Sequence, residues 1–341
     1  MQVFIIILLL SLVVAGDVYA KVMPQQVAIV INTDDAESRL IAEYYRVKRN
    51  IPEKNIIEIS MPSNRNSIGE EEFSFLFSQV KKQTPDTVQY YALAWRKPYK
   101  VKCMSITSAF AYGFNEAFCA KGCKPTRRSD YYDSDSVMPN RDFKIRPSMM
   151  LAGSSLQQVY EMIDRGVSSD GMMLSTKRPD AAAYLMRTTD KARNVRARRY
   201  DVIEKLLSKN INIEQVSSNV LQDKKDVMFY FTGLSKVEKI DTNGFLPGAI
   251  ADHLTSSGGQ LFGRRQMSIF RWLDAGATAS YGTVVEPCAF TQKFPNPGIV
   301  IERYTSGESL IEAYWKSVAW PGQGVFVGEL MAAPYTGEFQ N

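Results

Sequence analysis

Apolar residues form short continuous runs at 27–32, 88–95 and 227–231, each bounded by polar or turn-forming residues. Runs of this length are typical of strands that are buried on both faces of a sheet. Between the first two runs, apolar residues recur at helical spacing over 40–47 and 70–82. Because strands alternate with helices, the pattern predicts βαβ units, and hence an α/β fold with a mainly parallel sheet flanked by helices.

The alternation of strands and helices continues in the C-terminal part. The pattern predicts strands at 182–187, 248–254, 277–281 and 324–328 and helices at 157–165, 190–209, 266–275 and 309–317. Residues 96–150 interrupt this rhythm, as an insertion or a long, pinned loop would. The predicted organisation is an N-terminal α/β lobe at 21–95, this insertion, and a C-terminal α/β lobe at 151–341, built as one large unit or as two associated lobes.

The first twenty residues carry a different kind of hydrophobic segment. Residues 3–15 are almost entirely apolar, and the length of this run suits a signal peptide better than a membrane span. Val18 and Ala20 stand at the −3 and −1 positions of a cleavage site before Lys21. The sequence therefore predicts a signal peptide at 1–20 and a periplasmic or secreted protein, with an uncleaved anchor or a buried strand as the alternative.

The composition is that of an ordinary globular protein, with 23 % charged and 45 % hydrophobic residues and a formal net charge of +5. Four arginines crowd into residues 193–199, which could bind a polyanion or form a solvated helix face. Nucleic acid is not an expected partner of an exported protein. A single histidine, His253, excludes a multi-histidine metal centre within one chain, and no glycine-rich nucleotide loop is present, so no metal or other cofactor is predicted.

The cysteines are Cys103, Cys119, Cys123 and Cys288. An even number in an exported chain predicts two disulfides. The short spacing favours a local Cys119–Cys123 bridge, with Gly122 easing the turn, and leaves Cys103–Cys288 by elimination. A four-thiolate zinc site would need paired Cys-x2-Cys units, which the chain lacks, and free or partly paired thiols are a further alternative.

Polar residues at the predicted carboxyl ends of the strands define a candidate pocket, because sites in open α/β sheets form there. Asp34 and Asp35 could bind a cation or act as acid and base, or they could only cap the following helix. Asp190 could likewise cap a helix or help to hold an anion. The complete candidate set is Asp34, Asp35, Asp190, Thr232, His253, Ser256 and Glu286.

His253 is the one imidazole through which a Ser-His or Cys-His system could act. Its neighbour Asp252 would point to the opposite face of a strand, so adjacent residues do not form a triad. Cys288 with His253 would be a possible thiol peptidase pair, unless Cys288 lies in a disulfide. The residue can therefore be structural, a binding residue or a base.

Several segments of the chain are distinctive in combination. They are AEYY at 42–45 with RNIP at 49–52, CMSITSAF at 103–110, RPSMML at 146–151, GAIADHLTS at 248–256, and GA at 276–277 through EPC at 286–288. Together they resemble a family of secreted bacterial proteins without an established activity, which occurs in genomes with exosortase and PEP-CTERM protein sorting. The resemblance covers nearly the whole chain after residue 20 and implies an exported, envelope-associated protein whose partners are exported or surface-sorted proteins or an extracellular glycan.

Residues 226–330 are also similar, in their order of elements, to the C-terminal half of gingipain-type, caspase-like cysteine peptidases. Those peptidases carry His-Gly after the first of these strands and a nucleophilic cysteine after the next. Here Thr232 and Gly233 stand at the first position, and residues 254–256 follow the second strand without a cysteine. The resemblance implies a caspase-like fold without its catalytic dyad, and a thiolate without its base would lose most of its activation.

Two classes of function follow from these features. The first is a non-peptidase, caspase-like protein that binds a peptide or a glycan in an exosortase-linked context. The second is a secreted hydrolase with a site around Asp34, His253 and Glu286. Clustering of these three side chains in one cleft would favour the second class. The sequence does not show whether they cluster, and it therefore leaves open whether the protein is an enzyme.

Overall fold

The computed structural model of the chain describes residues 21–120 and 122–336. The predicted signal peptide at 1–20 therefore lies outside the described residues. The strands are β1 (Val27–Asn32), β2 (Ile56–Ile59), β3 (Ser67–Ile68), β4 (Tyr90–Leu93), β5 (Lys100–Val101), β6 (Met104–Ser105), β7 (Ser148–Met150), β8 (Ala182–Met186), β9 (Asn212–Val216), β10 (Val227–Thr232), β11 (Phe245–His253), β12 (Ala279–Thr283) and β13 (Gly324–Gly328).

Helices connect most of these strands. They are α1 (Ala36–Arg49), α2 (Glu70–Gln83), α3 (Ile106–Tyr112), α4 (Pro139–Phe143), α5 (Leu156–Ser169), α6 (Tyr200–Leu207), α7 (Phe270–Asp274), α8 (Pro297–Thr305) and α9 (Leu310–Lys316). Over the described ranges, no helix combines the length and the apolar character that a membrane crossing needs.

Ten strands form one continuous sheet in the order β2-β1-β4-β7-β13-β12-β11-β10-β8-β9, and β3, β5 and β6 form a small second sheet. Neighbours run parallel within β2-β1-β4-β7 and within β12-β11-β10-β8-β9. Strand β13 joins these two halves, running antiparallel to β12 over five residue pairs and meeting β7 at one pair, Val327 with Met150. The predicted α/β class with a mainly parallel sheet is thus confirmed.

The carboxyl ends of the strands in both halves meet at one edge of the sheet. Phe262, from the segment after β11, packs against Tyr99, from the segment after β4. The same phenylalanine lines a cavity with Asp35 and Arg96, which follow β1 and β4. This edge, called the carboxyl edge below, is where the sequence predicts functional residues.

Two groups of helices flank the sheet. Helices α1, α5 and α7 pack against one another, and α3, α9, α8 and α6 form the other group along strands β7 to β13. Strands β1, β4, β8, β10, β12 and β13 are buried along their length, as continuous apolar runs predict. These strands carry large aromatic side chains such as Tyr91, Tyr184, Tyr230 and Tyr281.

The predicted long helix at 190–209 is wrong. This segment forms a 3-10 helix at Asn194–Arg199 and continues as the short α6. A buried ion pair explains the irregular start, because Arg196 lies under the strand ends and contacts Asp252 at 2.6 Å. The backbone also lies close to β10: a Cβ on Gly233 would approach the Arg193 carbonyl oxygen to 2.0 Å.

Residues 96–150, predicted to be an insertion or a pinned loop, contain β5, β6, α3 and α4 and supply β7 to the main sheet. The disulfides pin this segment, but the predicted pairing is wrong. Cys103 bonds Cys119, with a Cα–Cα distance of 5.6 Å, and Cys123 bonds Cys288 at 5.2 Å. Gly122 does adopt a left-handed φ of +72°, but Cys119 and Cys123 each bond to a partner from another segment, 16 and 165 residues away in sequence.

Candidate functional site

The segments that follow β10, β11 and β12 lie side by side at the carboxyl edge, because these strands are parallel neighbours. A cavity of about 180 Å³ opens over the segments after β11 and β12. The predicted candidates Ser256 and Glu286 both line it. Its other walls come from Ala192, Arg193, Leu254, Thr255, Pro287, Cys288, Ala289 and Phe294.

Arg193 is the cation of this cavity, and two neighbours fix its side chain. Its Nε donates to Thr255 Oγ1 at 3.1 Å, and its Nη1 donates to Asp190 Oδ2 at 2.8 Å. Asp190 is itself held by the backbone N–H groups of Ala192 and Arg193, at 3.2 and 3.1 Å from Oδ1. Asp190 therefore positions the guanidinium group of Arg193. The Nη2 of this group makes no hydrogen bond to any described residue, so it can donate to a ligand.

Ser256 stands on a backbone that is held from both sides. Thr283 Oγ1, at the end of β12, lies 3.1 Å from the carbonyl oxygens of Thr255 and Ser256. Gly282 allows the close approach, because a Cβ there would lie 2.4 Å from the nitrogen of Gly259. The Ser256 hydroxyl makes no hydrogen bond to any side chain or backbone group in the described part of the chain.

Glu286 is exposed and belongs to a rigid turn. Its Oε1 accepts a hydrogen bond from the Cys288 backbone N–H at 2.8 Å, and its carbonyl oxygen accepts one from Gln323 Nε2 at 2.9 Å. Cys288 and Ala289 have φ values of +57° and +53°, a region that residues with a side chain seldom adopt. The disulfide from Cys288 to Cys123 ties this turn to the segment before β7.

A buried ion pair lies beneath the cavity. Arg196 Nη2 contacts Asp252 Oδ1 at 2.6 Å and donates to the Thr232 carbonyl oxygen at 2.7 Å. Burial raises the pKa of Asp252, and the charge of Arg196 opposes that shift. Thr232 is buried as well, and its hydroxyl has no hydrogen-bond partner within the described residues. The candidate Thr232 therefore lies below the cavity and does not line it.

His253 is fully buried, and both of its ring nitrogens are occupied. Nδ1 accepts from Trp272 Nε1 at 3.0 Å, which places the proton on Nε2, where it is donated to the Met267 carbonyl oxygen at 3.1 Å. Burial lowers the pKa of His253 to about 4, so the ring is neutral at pH 7. With Cys288 in a disulfide, a thiol pair of Cys288 and His253 does not exist in this structure.

Asp34 and Asp35 lie in the other half of the sheet, at the end of β1. Asp34 accepts from Ser60 Oγ at 3.0 Å, and Asp35 caps α1 by accepting from the Glu37 N–H at 3.0 Å. Five strand spacings separate β1 from β11, which is about 24 Å. The three residues of the hydrolase hypothesis therefore do not gather in one cleft. The described residues contain no group of three or more His, Cys, Asp and Glu side chains that could hold a metal ion.

The sequence analysis placed Arg193 in a basic segment and did not predict that it lines the cavity. The available signal was the position of Asp190, an acidic residue three positions earlier in the sequence. Sequence reasoning also missed Lys293, which is fully buried with its amine 5.3 Å from the centre of the Phe290 ring. The Lys293 Nζ has no hydrogen-bond partner within the described residues, and burial lowers the pKa of this amine to about 8.

Comparison of the sequence with known protein families and with curated proteins finds no match. The fold is similar to a solved structure described as "Structure of Protease", with a TM-score of 0.42 and 10 % sequence identity. That alignment covers 92 % of this chain and 79 % of the other.

Proposed function

We propose that this chain is an exported, caspase-like protein that binds a peptide at the carboxyl edge without cleaving it. The register of β10 and β11 carries the proposal: Thr232 pairs with His253, so the chain leaves both strands at the same level. On the proposed caspase-like alignment, Thr232 and Gly233 would take the position of the histidine, and Ser256 a position near that of the cysteine. A buried threonine and a serine hydroxyl would then replace the dyad.

Hydrolysis needs a nucleophile with a base within hydrogen-bond reach. Ser256 is the one hydroxyl that lines the cavity besides Thr255, whose oxygen already binds Arg193 and Gln266. The ring of His253 is occupied on both sides. These contacts support binding over catalysis.

The cavity offers a donor in Arg193, a hydroxyl in Ser256 and a carboxylate in Glu286, beside apolar walls from Leu254 and Phe294. A volume of about 180 Å³ is well below the 300–1,000 Å³ of a pocket for a drug-sized ligand, so it accepts a single residue of a longer ligand. Charged and apolar groups side by side favour an amino-acid residue over a sugar. The two disulfides are typical of an oxidising compartment, so the natural partners would be exported or surface-sorted proteins.

The test is a peptide array and a glycan array probed with the oxidised protein, followed by mass analysis of every bound peptide. We expect intact peptides to be retained and Arg193→Met or Glu286→Gln to weaken binding at least roughly ten-fold. Arg39→Met is the matched control, because Arg39 pairs with Glu58 in the other half of the sheet. Binding of glycans alone would refute the peptide assignment, and peptide cleavage that Ser256→Ala abolishes would show an enzyme.

A further inference from the structure

Two more cavities continue from the site and together form a groove along α6. The first, of about 400 Å³, shares Ala289 and Phe294 with the site cavity. The second, of about 790 Å³, lies between α6 and α8 and shares Arg199 and Asn296 with the first. These two cavities are called the α6 groove below. The shared lining residues place the α6 groove directly beside the proposed site.

The far end of the α6 groove is apolar. Val202 and Leu206 line it, and they are 58 % and 62 % exposed. They are four positions apart in sequence, so both lie on one face of α6. Ile203 lies between them in sequence, and Ile299 of α8 also lines the groove. Single exposed aliphatic residues are common, but here two of them line one concave surface.

The near end of the α6 groove is basic. Arg198 and Arg199 line the first cavity, where no acidic residue is present. Both are exposed, and neither forms an ion pair with any described residue, whereas Arg196, which also lines this cavity, is buried against Asp252. In the second cavity Glu302 is the acid among the lining residues, facing a lining that also includes Lys209.

We propose that the α6 groove binds an acidic, amphipathic peptide segment of an exported partner protein. Carboxylates of that segment would pair with Arg198 and Arg199, and its aliphatic side chains would pack against Val202 and Leu206. An anionic glycan would satisfy the arginines but would leave the apolar end uncovered. The proposal rests on the proposed function, because it names the ligand class of the extended site, but it depends on different residues.

The probe is a fluorescein-labelled peptide of about twelve residues, with leucine at helical spacing on a glutamate background. Anisotropy is measured with the oxidised protein at low and at high salt. We expect Arg198→Gln/Arg199→Gln to weaken binding at least roughly ten-fold and to reduce its salt dependence. Val202→Ser/Leu206→Ser should weaken binding by a similar factor and leave the salt dependence in place.

Two control variants are available. Lys205→Gln removes an exposed cation of α6 that does not line the groove, and Leu40→Ser/Val47→Ser removes exposed aliphatic residues of α1. Neither should change the affinity. Equal losses in these controls, or a Lys-for-Glu version of the probe that binds as tightly, would overturn the proposal.

Other occupants of the groove give different results. Binding of vesicles that contain phosphatidylglycerol, without binding of the probe, would assign the groove to a lipid surface. A dimer that Val202→Ser/Leu206→Ser dissociates would assign it to a second copy of the chain. If the probe binds and only Arg193→Met abolishes binding, the groove proposal fails while the proposed function stands. If neither set of variants matters, both fail.

Discussion

At the edge of the sheet opposite the carboxyl edge, called the amino-terminal edge below, buried charged side chains form ion pairs. Arg49 contacts Glu329 at 2.5 Å and Asp170 at 2.6 Å, and Lys316 contacts Glu308 at 2.8 Å with both side chains fully buried. Near the carboxyl edge, three basic side chains have no carboxylate partner among the described residues. Lys293 is buried without a hydrogen-bond partner for its amine, and Arg198 and Arg199 line the first cavity of the α6 groove, which has no carboxylate among its described lining residues.

The difference separates charges that have a partner within the fold from charges for which we propose an external ligand. Removing one partner of a buried ion pair leaves an unpaired buried charge and destabilises the fold by several kcal/mol. The stability of the protein therefore depends on keeping both partners of such a pair. An exposed guanidinium without a partner costs the fold little and keeps its hydrogen bonds for another molecule. Among the described residues beneath the site, Arg196 and Asp252 form such a buried pair, next to the ends of β10 and β11.

The largest expected effect is the loss of a closed pair. Lys316→Met should destabilise the protein by about 3–5 kcal/mol, because it leaves the Glu308 carboxylate buried with only the more distant Arg303 at 3.4 Å. Urea unfolding at pH 7 measures this change. A loss below about 1 kcal/mol would show that the pair does not hold the amino-terminal edge.

Glu312, also at the amino-terminal edge, should make the protein less stable as the pH rises from 4.5 to about 8. Burial raises its pKa from 4.5 to about 8, so the folded state holds a proton that the unfolded state has lost. Stability is fully present below pH 4.5 and falls as the pH rises to about 8, by about 4–5 kcal/mol in all. Glu312→Gln should flatten this part of the unfolding profile, and an unchanged slope in the variant would contradict the assignment.

His253, at the carboxyl edge, should act with the opposite sign. Its pKa is lowered from 6.5 to about 4, so stability is present above pH 6.5 and falls as the pH drops towards 4. The loss should reach about 3 kcal/mol. His253→Gln can keep contacts to both Trp272 and Met267 while removing the titration. Its free energy of unfolding should therefore depend less on pH between 4 and 6.5, and an equal dependence in both proteins would exclude His253 as the source.

Lys293→Met is the counterpart of Lys316→Met and should stabilise the protein. It removes a buried, unpartnered amine, which is worth about 1–3 kcal/mol. Because burial lowers the pKa from 10.5 to about 8, the gain should grow as the pH falls from 10.5 to about 8 and then level off. Thermal melting of both variants at pH 7 and pH 10 provides the comparison. Destabilisation by Lys293→Met at pH 7 would show that the amine has a partner.

The sequence predicted the fold class because buried parallel strands such as β1 and β10 are continuous apolar runs. It missed β7, since three residues are too few to show a pattern. It predicted a single helix at 190–209 because periodicity does not reveal that Arg196 is buried against Asp252. The disulfide pairing failed because sequence spacing carries no information on which loops meet in space.

The candidate site was recoverable only in part, for a topological reason. Polar residues after strands can be read from the sequence, but the order of the strands cannot. That order brings Ser256 and Glu286 to one cavity and leaves Asp34 about 24 Å from the end of β11. Asp190 reaches the cavity indirectly, through its contact with Arg193.

The most direct test of the contrast between the two edges is a ¹H–¹⁵N spectrum of the arginine side-chain Nε–H groups, recorded on the oxidised protein without and with the glutamate–leucine probe. Each signal is assigned by an Arg→Lys variant. The account predicts that Arg198 and Arg199 shift on titration, while Arg49, whose Nε already donates to Glu329 Oε1 at 3.0 Å, stays in place. Binding of the probe that shifts Arg49 and leaves Arg198 and Arg199 unchanged would contradict it.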